Sequence, residues 1–176
     1  MVEHQTTNPP LPRRNPLDLL LRDDVRPSDT QAVREIVLAT GMFHDYEVDV
    51  AVELVAERLA RGPASGYFFV FAEQGGRVVG YACYGPIACT AGSFDLYWIA
   101  VRPDCQGQGL GRALLAASEE RIAAADGRCI YIETSCRKQY APTRAFYERC
   151  GYRLEATLRD FYAPGDDKAI YVRRCV

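Results

Sequence analysis

The chain has 176 residues, 25% of them charged, and a formal net charge of −2 with pI about 5.7. That length suits one domain with a full core, and the charge balance leaves no footprint for a polyanion, so nucleic acid is excluded as an expected partner. No apolar run approaches the roughly 20 residues of a membrane span. No signal-peptide pattern opens the chain, and seven scattered cysteines without a CxxC, with His4 and His44 far apart, predict neither a disulfide framework nor a metal site. A reducing cytoplasm is the expected setting.

Residues 1–16 carry Pro9, Pro10, Pro12 and Pro16 and read as a loose arm, leaving 17–176 as the domain. Leu17–Arg22 reads as a strand. Ser28 with Gln31 three positions on gives a capping-box pattern, and Val33, Ile36 and Val37 form a helical face that stops at Gly41. After the connection Met42–Glu47, in which His44 reads as a solvated loop histidine, Val48, Val52, Val55 and Leu59 repeat at helical spacing up to Gly62–Pro63. Tyr67–Ala72 and Arg77–Tyr84 flank Gly75–Gly76 as a hairpin.

Following a loop at Pro86–Gly92, Phe94–Val101 is aromatic or branched apart from Asp95 and Ala100, the pattern of a strand covered on both faces. Pro103 and Asp104 stop it. Gly107, Gly109 and Gly111 then leave the backbone nearly bare before a helix at Arg112–Ile122 that closes at Gly127. Cys129–Ser135 is a further strand, with Ile130 and Ile132 on one face and Tyr131 and Glu133 on the other. Pro142 opens a short helix to Cys150, and Tyr152–Leu158 and Ala169–Arg174 read as two strands joined through Ala163–Asp167. This order predicts an α/β fold: a mixed sheet of about seven strands with helices on both faces.

A glycine loop ahead of a helix gathers unpaired N–H groups and the positive end of the helix dipole, which makes an anion site suited to a diphosphate. The glycines fall as GxGxG and no Lys-Ser/Thr follows, so neither the dinucleotide fingerprint nor the nucleotide-hydrolase loop fits. Alone, the loop fits a ligand-free strand-to-helix turn equally well. The pattern Gln106–x–x–Gly109–x–Gly111 after TrpIleAlaValArgPro, together with ThrArgAlaPheTyrGluArgCysGlyTyr at Thr143–Tyr152, resembles the GCN5-related N-acetyltransferases. The likeness spans roughly Leu19 to Val172.

That resemblance implies a single-domain acyl-CoA fold with acetyl-CoA as acyl donor. Ile99, Ala100 and Val101 match the strand end that pairs with the pantetheine arm. Gly107, Gln108, Gly109, Leu110, Gly111 and Arg112 match the loop whose amides hold the pyrophosphate, with Gln106 and Arg112 offering side-chain contacts. Tyr147 matches the tyrosine beside the thioester sulfur and is expected as general acid. Two carboxylates compete for the base: Asp95 matches the glutamate of histone-acetylating members, and Glu133 that of ribosomal-protein N-terminal acetyltransferases. Tyr140 stands where many relatives carry a CoA-binding asparagine, so that contact departs from the family pattern.

The chemistry needs these roles on general grounds. Deprotonating a lysine-type amine at pH 7 costs about 4.6 kcal/mol, which a general base offsets. The thiolate leaving group needs a proton, and a strand-end amide such as that of Val101 can donate to the oxyanion. The expectation is direct acetyl transfer in a ternary complex to a small-molecule or peptide primary amine, in a chain that pairs as a homodimer through C-terminal strands. A CoA-binding sensor without turnover is the alternative. The acceptor should be shaped by Thr40–Glu47, Pro86–Gly92 and Phe161–Lys168.

Overall fold

The first strand, β1 (Leu19–Arg22), packs Leu19 and Leu21 toward the core. The computed structural model describes residues 19–175, so the proposed arm at 1–16 lies outside the described residues. Helix α1 (Asp29–Thr40) buries Val33, Ile36 and Val37 completely and ends at Gly41, whose φ of 63° is the left-handed region glycine adopts freely. Its start departs from the expected capping box. Ser28 is helical and makes no cap bond, while the buried Asp29 carboxylate accepts from the Arg26 amide at 2.7 Å and from Arg22 Nη1 at 2.9 Å. A carboxylate bonded to a guanidinium is the stronger acceptor, so the charged residue displaces the hydroxyl.

Helix α2 (Asp45–Arg61) has the reciprocal cap instead, with the His44 amide donating to Glu47 Oε2 at 2.8 Å. Its buried face is Val48, Ala51 and Val55, while Val52 is half-buried and Leu59 exposed. Alanine at the i+3 position lets the helix sit close to the sheet, which turns the expected stripe by one position.

Six more strands follow: β2 (Phe68–Gln74), β3 (Arg77–Pro86), β4 (Ser93–Val101), β5 (Cys129–Ser135), β6 (Arg153–Ala163) and β7 (Asp166–Arg174). Between them lie α3 (Leu110–Ala124) and α4 (Ala141–Arg149). The seven-strand sheet has the order β1-β2-β3-β4-β5-β7-β6, and β4–β5 is its parallel pair, joined by the α3 crossover. Two buried clusters flank it. One joins the sheet to α1 and α2, the other to α3 and Tyr147 of α4. The mixed α/β fold with helices on both faces is therefore as the sequence predicts.

Strand β4 refines one expectation. It is covered on both faces only in its second half. Trp98 opposes Cys83 and Leu96 opposes Tyr84, so Tyr97 is an extra residue, a β-bulge. Before it, Phe94 and Leu96 pack on the α3 side; after it, Ile99 and Val101 do so, while Trp98 and Ala100 pack on the α1–α2 side. Two segments of opposite phase read together as one continuous apolar run.

Candidate active site

The bulge sits where the parallel pair ends. β4 and β5 are in register only from Ser93↔Cys129 to Asp95↔Tyr131, and beyond that the strands part around a cleft of about 620 Å³. The cleft thus opens at the carboxyl ends of two parallel strands, where such sheets place ligand sites. The loop at Pro86–Gly92 joins the opposite ends and contributes nothing to its wall, which corrects its expected place in the acceptor site.

On the β4 bank, Ile99, Ala100 and Val101 line the cleft. The Arg102 amide donates to Val79 at 2.9 Å on the β3 side, so strand alternation turns the Val101 and Ile99 backbone groups toward the open edge. Gln106 Nε2 donates to the Val101 carbonyl at 3.1 Å, so this side chain supports the strand end instead of reaching out to the glycine loop. Gly107 and Gly109 have φ of 74° and 82°, and no atom lies within 4 Å of where a Cβ would stand. α3 starts at Leu110, earlier than expected, with its side chain in the core, leaving only the backbone amide of that residue for a ligand. Gln108 and Arg112 are exposed, and Arg112 Nη2 donates to the Arg149 carbonyl at 3.3 Å, tying α3 to α4. This loop lies beside the cleft mouth, which reaches Pro103 and Gln106. A bare loop with the free amides of a helix start fits a diphosphate.

Tyr147 lies at the cleft wall, 5% exposed, among the rings of Phe146, Tyr171 and Tyr152 at 5.4, 6.1 and 6.2 Å. Burial pushes its phenol well above the ordinary range, so it stays protonated at neutral pH.

Glu133 also lines the cleft, half-exposed, with Oε2 held 2.9 Å from Lys168 Nζ. Lys168 is buried, and its ammonium lies 3.6 Å from the Phe161 ring centroid. Asp95 sits behind the wall at the last paired position. Burial raises its pKa first, the Glu133 charge adds to this, and Lys168 opposes it. The structure thus brings Tyr147, Glu133 and Val101 to one cleft and leaves Asp95 one step removed.

Several groups around the cleft escape sequence reasoning. Lys168 gives no local signal in a charged turn, and Tyr97 is hidden inside an apolar run. Tyr97 packs edge-on against Tyr67 at 5.6 Å, and burial followed by the Asp95 charge pushes its phenol up to about 12. Tyr162, near the end of β6, is pushed up to about 12 by burial and then by Glu133 and Asp166. Ser135 Oγ donates to Asp166 Oδ1 at 2.5 Å, and Arg137 Nε lies 3.0 Å from Asp166 Oδ2, locking the end of β5 to the start of β7. Tyr140 does not point a free hydroxyl at a donor: it donates to the Met42 carbonyl at 3.1 Å. His44 lines the cleft too, stacked on Tyr46 at 5.5 Å, although it is exposed as a loop histidine should be.

No helix among the described residues is long and apolar enough to cross a membrane, and no three His, Cys, Asp or Glu among them are placed to hold a metal ion.

A splayed parallel pair, a glycine-opened helix and a buried tyrosine on the facing helix together define an acyltransferase-type architecture. The family model described as the acetyltransferase (GNAT) family matches residues 30–152, and the chain belongs to that family. A solved GNAT-family protein from Desulfovibrio desulfuricans is 51% identical, covers 89% of this chain and 98% of its own, and superposes with a TM-score of 0.87. An N-acetyltransferase of Methanocaldococcus jannaschii is 34% identical over 109 residues, 60% of this chain and 65% of that protein. The ribosomal protein bS18 alanine N-acetyltransferase of Escherichia coli is 35% identical over 94 residues, 53% of this chain. The chain thus spans 60–65% of the length of these two curated relatives.

Proposed function

We propose that the protein is an N-acetyltransferase that moves the acetyl group of acetyl-CoA to a primary amine by direct attack in a ternary complex. One observation carries this reading: Tyr147 and Glu133 both line the cleft that also exposes the free edge of β4. The amides at 107–112 hold the diphosphate, and the Ile99–Val101 edge pairs with the pantetheine arm. Glu133 takes the proton of the acceptor, directly or through a water. Tyr147 gives its phenolic proton to the departing thiolate, and the Val101 N–H donates to the carbonyl oxygen as it gains charge. Asp95, behind the wall, tunes the local charge.

The acceptor best matched to this base is an α-amine. The Glu133 carboxylate lining the cleft is already engaged by Lys168 at 2.9 Å, which suits an acceptor whose proton is easily given up. A lysine amine demands about 4.6 kcal/mol at pH 7, an α-amine near pKa 8 only about 1.4 kcal/mol. The Escherichia coli relative, named for the alanine of bS18, supports the same choice. β6, an edge strand with Leu154, Leu158 and Phe161 exposed, is the surface through which two copies would pair, and sedimentation tests it.

The decisive experiment measures acetyl-CoA binding by calorimetry and free-thiol release with an alanine-initiated peptide, an N-blocked lysine peptide and a polyamine. We expect turnover with the α-amine, lost about 100-fold in Tyr147→Phe while acetyl-CoA still binds. Binding without thiol release for any acceptor would replace the enzyme by a CoA sensor.

A further inference from the structure

The Tyr140–Met42 hydrogen bond spans the cleft from bank to bank, joining residues 98 apart in sequence. Its two ends differ in rigidity. Tyr140, 9% exposed, ends a 3-10 turn just ahead of α4. That segment is pinned by Arg144 Nη1, which donates to the Ser135 carbonyl at 2.8 Å and the Arg137 carbonyl at 3.1 Å. The Arg137 amide also donates to Ser135 Oγ at 3.0 Å, and the Arg137 guanidinium stands 5.5 Å from the Tyr140 ring centroid.

Met42 lies instead in the short irregular connection between α1 and α2. This connection is held by a 3.3 Å bond from the Met42 amide to Thr40 Oγ1 and by the Phe43–Trp98 ring contact at 4.9 Å. It leads directly into His44, Tyr46 and Glu47, which line the acceptor side of the cleft. A rigid donor-side group thus holds the looser acceptor-side connection by one hydroxyl.

We propose that Tyr140 is a positioning residue whose hydroxyl straps the α1–α2 connection across the cleft, so that a bound donor and an ordered acceptor wall reinforce each other. This rests on the reading above that the acyl-CoA arm lies between the β4 edge and α4. The backbone around Tyr140 is fixed, but the bond to Met42 sets how its ring lies, so an arm running from the glycine loop to Tyr147 gains the ring contact in full only with the strap closed. A ligand that favours one of two states shifts the population toward it, and the coupling is reciprocal. Donor binding therefore tightens the connection, and loss of the strap weakens the donor by the same modest factor. The polar end of this side chain is thus spent on the chain itself.

Calorimetry with acetyl-CoA, combined with amide hydrogen exchange over residues 42–48, tests this in wild type, Tyr140→Phe and Tyr140→Asn. In wild type, saturating acetyl-CoA should slow exchange in that connection about tenfold. Tyr140→Phe removes only the hydroxyl, so acetyl-CoA should bind within about tenfold of wild type, the limit the coupling sets, while the slowing falls below about twofold. The asparagine variant, too short to reach Met42, should lose the slowing in the same way. Equal slowing in wild type and Tyr140→Phe overturns the strap. Loss of acetyl-CoA affinity beyond about tenfold in Tyr140→Phe also overturns it, because the hydroxyl is then a donor contact. Absence of acetyl-CoA binding by wild type overturns the donor reading of the cleft itself, and the strap falls with it.

Discussion

The two banks of the cleft are made of different material. The β4 bank is mostly main chain: the open edge at Ile99 and Val101, two glycines with positive φ, and the first amides of α3. The rest of the lining is mostly side chain, drawn from four separate places: the α1–α2 connection, the end of β5, the α4 entry and the β6–β7 hairpin. Main chain can grip a ligand that is itself generic, such as a diphosphate and an amide-bearing arm. Side chains from several loops can change one at a time, which is what a variable acceptor requires.

Substitutions on each bank should therefore fail in different ways. The largest effect is expected from Glu133→Gln, which should lower kcat about 100-fold and leave acetyl-CoA affinity by calorimetry unchanged. Weakened donor binding there would erase the distinction between the banks. Gly109→Val should do the opposite. A branched residue at φ 82° costs about 1–2 kcal/mol of strain, so acetyl-CoA should bind about tenfold more weakly with kcat at saturation nearly intact.

These two predictions also show what could be read in advance. The β4 bank was legible because glycine spacing and a strand-to-helix switch are local signals, and the glycine loop does lie between β4 and α3. The rest of the lining was not. Lys168 reaches Glu133 by antiparallel pairing of β5 with β7, a contact between residues 35 apart that no local pattern reports. Tyr140 looked like a lost donor contact because its partner, Met42, lies on the other side of the fold. Ser28 misled for a simpler reason: the neighbouring Asp29 is the better acceptor.

Smaller effects sharpen the comparison. Lys168→Met should reduce kcat about fivefold in wild type and add nothing in the Glu133→Gln background, as a double-mutant cycle would show. Equal losses in both backgrounds would make Lys168 a support of the fold alone. The smallest effect is on stability. The Asp95 carboxyl is raised in the folded protein, chiefly by burial, so the folded state holds that proton more tightly than the unfolded chain does. Ionising it as pH rises through the ordinary carboxylate range therefore costs stability. Asp95→Asn should raise Tm by about 2 °C at pH 7, and the gain should vanish below about pH 4, as thermal melts at both values would show.

The extra residue in β4 carries a further consequence, one of parity. A strand assigns its side chains to two faces by counting in twos, and Tyr97 adds one to the count. Because of that odd step, one uninterrupted strand serves the α3 core with even-numbered residues at its start and odd-numbered ones at its end. Straightening the bulge with Tyr97 still in the chain would turn Trp98 and Ala100 toward α3 and send Ile99 and Val101 the other way. Deleting Tyr97 would instead leave Leu96 opposite Tyr84 and Trp98 opposite Cys83, with every side chain on its present face and the strand without its bulge. The extra residue and the irregular pairing thus belong together, and the bend of β4 beside the cleft hangs on an odd number.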